Sequence, residues 1–81
     1  MEPNPIHRYL LVIKENNKRY MVDYVAAERN HPLGIYGGRV VRMEIRCDGE
    51  RLVDYDHAWL VSPKDPNSRM ILRKALERAR N

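Results

Sequence analysis

Apolar and polar residues alternate along most of this 81-residue chain, and only the last stretch changes to a helical period. Ile6–Lys14 and Arg19–Glu28 are β-rich runs separated by Glu15-Asn16-Asn17-Lys18, where asparagine tolerates the positive φ of a tight hairpin turn. Pairing about Asn16-Asn17 sets Ile13 opposite Tyr20, Leu11 opposite Val22 and Tyr9 opposite Tyr24, all on one face. The other face carries Leu10, Val12, Met21 and Val25 beside Arg8 and Asp23. That is too apolar for a plainly wetted surface.

Proline and glycine make Arg29–Gly38 a loop. Arg39–Cys47 then alternates, with Val41, Met43, Ile45 and Cys47 inward and Arg42, Glu44 and Arg46 outward. Asp48-Gly49 is a strong hairpin signal, but a simple two-residue turn would set Met43 against Asp54. A three-residue loop, Cys47-Asp48-Gly49 with a bulge at Gly49, instead pairs Met43 with Val53 and Val41 with Tyr55. Trp59–Pro66 reads as a connector, because Ser62 and Asp65 each precede a proline. Asn67 or Ser68 is the expected helix cap, and Ile71, Leu72, Ala75, Leu76 and Ala79 follow at helical spacing. The predicted fold is α+β: a four-stranded antiparallel sheet of two hairpins, then one C-terminal helix packed on one face.

This length makes a single domain, 1–81, with 1–5 a loose lead-in broken by Pro3 and Pro5. A domain of this size buries only about 60–65% of its unfolded surface. Its lone cysteine, Cys47, allows no internal disulfide, which leaves oligomerisation as the expected aid. A homo-oligomer, dimer or higher, joined through Leu10, Val12, Met21 and Val25 is the economical answer to the second apolar face. The start is polar and no apolar run approaches the length of a membrane span, so the expectation is a cytoplasmic protein with no membrane partner. Fifteen Lys+Arg against eleven Asp+Glu give a net charge of +4, dispersed and mostly arginine. A phosphate-bearing partner is compatible with that balance.

The candidate chemistry gathers in Gly34–Trp59. Tyr36, Gly37, Gly38 and Arg39 could hold an oxyanion through glycine amides and a guanidinium, with Tyr36 stacking on a ring; the alternative is a bend before a strand. Asp54, Asp56 and His57 form the one grouping with catalytic or metal potential, but ion pairing with Arg42, Arg46 or Arg51, or bonding to loop amides, accounts for it better. Trp59 either seals the sheet–helix core or adds an aromatic platform near Tyr36. Cys47 reads as a buried inert thiol, and the basic helix face as solvated surface.

Gly34-Ile35-Tyr36-Gly37-Gly38-Arg39, Met43-Glu44-Ile45 and Tyr55-Asp56-His57-Ala58-Trp59 resemble a small uncharacterised family of bacterial and phage proteins, a domain of unknown function. Its pattern runs Gly-Ile-x-Gly-Gly-Arg to Tyr-Asp-x-Gly-Trp, and Ala58 stands where the pattern has glycine. The resemblance covers about a third of the chain. It implies a small sheet-plus-helix domain and a phage or prophage source, without a mechanism.

With no catalytic set, no metal site and no cofactor expected, the chain reads as a non-enzymatic binding protein. The leading expectation is a phage accessory, anti-defence protein that binds a phosphate-bearing ligand such as a nucleotide signal. Tyr36, Gly37, Gly38, Arg39, His57 and Trp59 are its expected contacts. The alternatives are an inhibitor or assembly module docking a host protein through the apolar sheet face, and a weak nucleic-acid binder using the basic helix.

Overall fold

Asn16 and Asn17 both take left-handed φ, 51° and 62°, the signs a two-residue I′ hairpin requires. They join β1 (Ile6–Glu15) to β2 (Lys18–Ala27) with Ile13 opposite Tyr20, Leu11 opposite Val22 and Tyr9 opposite Tyr24, the register the alternation predicts. The computed structural model describes residues 3–81. Of the expected lead-in, residues 1–2 lie outside the described residues. Residues 3–5 are tied down rather than loose: Glu28 N–H donates to the Pro5 carbonyl (3.0 Å), and Arg29 N–H donates to Asn4 Oδ1 (3.1 Å).

The sheet continues through β3 (Val40–Cys47), β4 (Glu50–Asp56) and β5 (Trp59–Val61), five antiparallel strands in chain order. Four strands were expected, and Trp59–Pro66 was expected to be a connector throughout. The chain reverses earlier, at His57 (φ 61°), where Asp56 N–H donates to the Ala58 carbonyl (2.9 Å). Trp59 then pairs with Tyr55 and Val61 with Asp54 before Pro63, which has no N–H, ends the ladder.

The second hairpin also departs from expectation. Asp48 (φ 51°) and Gly49 (φ 79°) form a two-residue turn, with Cys47 opposite Glu50. The parity conflict is resolved inside β4, where Leu52 has no partner between Arg51 and Val53. Met43 therefore faces Tyr55, not Val53, while Ile45 faces Val53. Turn chemistry fixes the loop, and the demand that Val53 and Tyr55 be buried places the bulge in the strand. A similar slip leaves Val41 without a partner between Val40 and Arg42; Val40 joins the core cluster, and Val41 is buried as the alternation predicts.

Helix α1 (Pro66–Arg78) is capped by Asp65, not by Asn67 or Ser68: Asp65 Oδ1 accepts from Ser68 N–H at 2.7 Å. Pro66 at the first helical position loses nothing, because its missing N–H would have been an orphan donor there. The side chains of Ile71, Leu72, Ala75, Leu76 and Ala79 join one core cluster with Ile13, Val22, Met43, Ile45 and Val53. At roughly 1.5–3 kcal/mol per fully buried aliphatic side chain, this cluster is the main source of stability.

The helix ends in a Schellman arrangement. Asn81 N–H donates to the Leu76 carbonyl (3.0 Å) and Arg80 N–H to the Glu77 carbonyl (3.1 Å), with Arg80 left-handed at φ 55°. Glycine usually holds that position, because a Cβ there is strained.

A cleft between the last strand and the helix

The Gly37-Gly38-Arg39 segment is the first candidate site, and both glycine amides and two of the three Arg39 guanidinium nitrogens are engaged within the fold. Gly37 N–H donates to the Gly34 carbonyl and Gly38 N–H to the Ile35 carbonyl, both at 3.0 Å, closing a single 3₁₀ turn at Ile35–Gly37. Arg39 Nε donates to the Ala27 carbonyl (2.7 Å), and its Nη1 reaches the Ala79 and Arg80 carbonyls (3.4 Å each). The Ala79 carbonyl is among those that every helix end leaves without a partner, and the Arg80 carbonyl lies just beyond it. The Asn81 side chain completes the join, accepting from Val40 N–H (2.8 Å) and donating to the Ile35 carbonyl (3.0 Å). The Gly-Gly-Arg segment thus receives the end of the helix, and the expected oxyanion cradle of two glycine amides does not form.

Tyr36 is arranged differently. It takes φ 54° and ψ 30°, left-handed for a bulky aromatic residue, and its side chain is 76% exposed. Strain of this kind is costly and collects at functional sites. Tyr36 stands beside Trp59, with ring centroids 6.1 Å apart and a 51° tilt, while Trp59 meets Tyr55 edge-on at 5.0 Å. Tyr55 is itself fixed by its hydroxyl, which donates to the Leu33 carbonyl at 2.8 Å. Trp59 is 37% exposed, so it flanks the core rather than sealing it.

Tyr36 and Trp59 stand at a cleft of about 800 Å³, whose near wall continues through Ser62 and Pro63. The far wall is largely helical: Arg69, Leu72, Arg73, Leu76 and Glu77 recur along one helix face, and Arg80 follows just past the helix end. The lining is mostly apolar with convergent charged groups, which is the usual character of a small-ligand site. No ion pair among the described residues involves Arg73, Glu77 or Arg80. These arginines carry the charge of the candidate site. In sequence they merge with an ordinary solvated helix face, and only the fold sets them opposite two aromatic rings.

The other candidates lie elsewhere. His57 is not among the cleft residues; its Nδ1 is 2.8 Å from Asp56 Oδ1, and its ring meets His31 edge-on at 6.4 Å. Asp54 accepts from Arg51 Nη1 at 2.9 Å, the ion pairing expected of it. No group of three or more His, Cys, Asp and Glu side chains among the described residues is placed to hold a metal ion. Burial pushes the Cys47 thiol up, with Asp48 adding to the effect, away from the reactive thiolate form. On the outer sheet face Leu10 is 74% and Met21 55% exposed, with Val12 less so and Val25 half-buried. Arg8 and Asp23 lie beside them in a two-pronged ion pair, Nε to Oδ1 at 3.0 Å and Nη2 to Oδ2 at 2.6 Å. That contact holds the Asp23 carboxyl below its usual range. No described helix is long and apolar enough to cross a membrane.

Comparison with known proteins adds the family and nothing finer. No curated protein and no solved structure shows significant similarity to the chain. A family of domains of unknown function, DUF7678, matches residues 11–80, from the middle of β1 to the left-handed residue that ends the helix. The chain belongs to that family.

Proposed function

We propose that this is a non-enzymatic binding protein whose cleft takes a phosphate-bearing ligand with a planar ring, a nucleotide being the natural class. The observation that carries the reading is the juxtaposition of Tyr36 and Trp59 with Arg69, Arg73 and Arg80 around one apolar cleft. Aromatic faces stack on a base of any identity, and guanidinium groups offer forked donors to phosphate oxygens. Strain at Tyr36 supports the same reading. The helix lies over one sheet face and presents its arginine-bearing edge to the ligand, while Arg39 and Asn81 hold the helix end in place. Titration calorimetry against mono-, di- and cyclic nucleotides tests this. Binding should weaken about ten- to a hundred-fold in Arg73→Ala, and Trp59→Leu should weaken nucleotides more than inorganic phosphate. A panel in which no nucleotide binds removes this reading.

A second reading has its own observation, the exposed Leu10 and Met21 on the outer sheet face. There the protein self-associates or docks a partner protein through the Leu10, Val12, Met21 and Val25 surface. Sedimentation should show association in the micromolar range that Met21→Lys abolishes; a monodisperse monomer at high micromolar concentration sinks self-association.

A further inference from the structure

We propose that Glu77 makes the cleft selective for guanine among the nucleobases. The inference rests on the nucleotide reading above and gives it a ligand class. Glu77 is the one acidic side chain among the cleft residues, set among guanidinium groups on the same helix face. Arg73 precedes it by one turn, within ordinary reach along a helix, and Arg80 follows it by three residues just past the helix end. Neither pairs with it. The order explains part of this, because a cation four residues before a carboxylate is the weaker arrangement, and Arg80 leaves the helix in its left-handed conformation. The Glu77 carboxylate is therefore an uncommitted acceptor in a cleft that otherwise offers donors and ring faces.

A carboxylate beside a phosphate site repels the phosphate, so it suits a ligand that offers it hydrogen-bond donors. Its two oxygens lie side by side and accept two parallel N–H bonds. Guanine presents that pattern on its Watson–Crick edge, with N1–H and the 2-amino group adjacent. Adenine and cytosine each present one amino donor next to a ring-nitrogen acceptor, and uracil presents one N–H between two carbonyls. Against those three bases a carboxylate satisfies one donor at most and faces an acceptor beside it. The phosphate then falls to the arginines and the ring to Tyr36 and Trp59, which uses the three kinds of group in the cleft without conflict.

The test is calorimetry with GMP, IMP and AMP on the full chain, repeated on Glu77→Gln. Inosine retains N1–H and lacks the 2-amino group, so it isolates the second hydrogen bond. GMP should bind at least about ten-fold more tightly than AMP, with IMP between them, the discrimination expected of a paired base contact. Glu77 is exposed on the helix, so the glutamine variant should keep its melting temperature and lose most of the GMP preference. Equal binding of GMP and AMP overturns the guanine assignment and leaves the nucleotide reading standing. A GMP preference that survives in Glu77→Gln overturns the role of this carboxylate. Absence of binding by all three nucleotides overturns the guanine assignment, and the nucleotide reading falls with it only if the wider panel of mono-, di- and cyclic nucleotides is also silent.

Discussion

The side-chain amide of Asn81 lies where a Cβ on Gly38 would be. A methyl group at position 38 would overlap Asn81 Oδ1, Cγ and Nδ2. Gly38 has φ −90°, a backbone conformation open to other residues, so the requirement for glycine there is one of space. The same amide accepts from Val40 N–H and donates to the Ile35 carbonyl, so the close approach joins the end of the helix to the start of β3.

Gly38→Ala should therefore act by displacing Asn81. Losing two hydrogen bonds at a half-buried position should cost about 1–3 kcal/mol. Asn81→Ala should cost a similar amount, and the double variant little more than the larger single, because both changes remove the same contact. Urea denaturation of the four proteins of this cycle measures it. Additive effects would mean that the two residues act separately.

Arg39 is expected to matter for stability more than for ligand contact. Its Nε and Nη1 bridge the carbonyls of Ala27, Ala79 and Arg80, joining the end of β2 to the end of the helix. Arg39→Ala should lower stability by about 1–2 kcal/mol, toward the low end because the side chain is partly exposed. Arg39→Lys should recover only part of it, since one ammonium cannot span the three carbonyls. Denaturation midpoints test the stability effect, and nucleotide titration well below the transition separates it from direct contact. A large loss of binding at unchanged stability would return Arg39 to the ligand site.

The sequence makes the first hairpin legible because two signals agree: Asn16-Asn17 suits the turn, and its register puts Ile13, Tyr20 and Val22 on one buried face. At the second hairpin the signals conflict, since Asp48-Gly49 favours two residues whereas the alternation needs one residue more. Parity foresees a bulge and the shared face of Met43, Val53 and Tyr55, but the strand absorbs it at Leu52. β5 is hidden because three residues before Ser62-Pro63 carry too little pattern, and the reversal before it falls at His57 with no Asn-Gly or Asp-Gly pair to mark it. The pairing of Tyr36 with Trp59 was visible as an aromatic neighbourhood. The partners of Arg39 were not, since Ala79 and Arg80 lie forty residues away and contribute only backbone carbonyls.

Acid stability should depend on the helix cap. The Asp65 carboxyl is held below its usual value chiefly by the Ser68 backbone N–H, with the Ser68 hydroxyl adding to this. A carboxyl whose pKa is lower in the folded than in the unfolded chain stabilises the fold fully above its unfolded value, near 4. That contribution is lost as pH falls through the folded value. Asp65→Asn still caps but does not titrate, so its melting temperature should fall less steeply than the parent's as pH drops below about 4. Asp23, lowered mainly by its hydrogen bonds from Arg8, keeps some acid dependence in the variant. Identical acid limbs in the two proteins would show that the cap does not contribute to the pH dependence.

Arg80 places stability and binding in opposition. Its φ of 55° at the C′ position of the Schellman ending is one that glycine takes without strain and an L side chain adopts at a cost. Its side chain also lines the cleft, where it adds one of three arginines. Arg80→Gly should therefore stabilise the protein by up to about 1 kcal/mol, while weakening nucleotide binding several-fold or more. Arg80→Lys should leave stability unchanged and weaken binding less, because the charge remains and only the forked donor is lost. Thermal melts and titrations on the same three samples separate the effects. A glycine variant that is both more stable and an undiminished binder would remove Arg80 from the site and leave its backbone conformation to the helix ending alone.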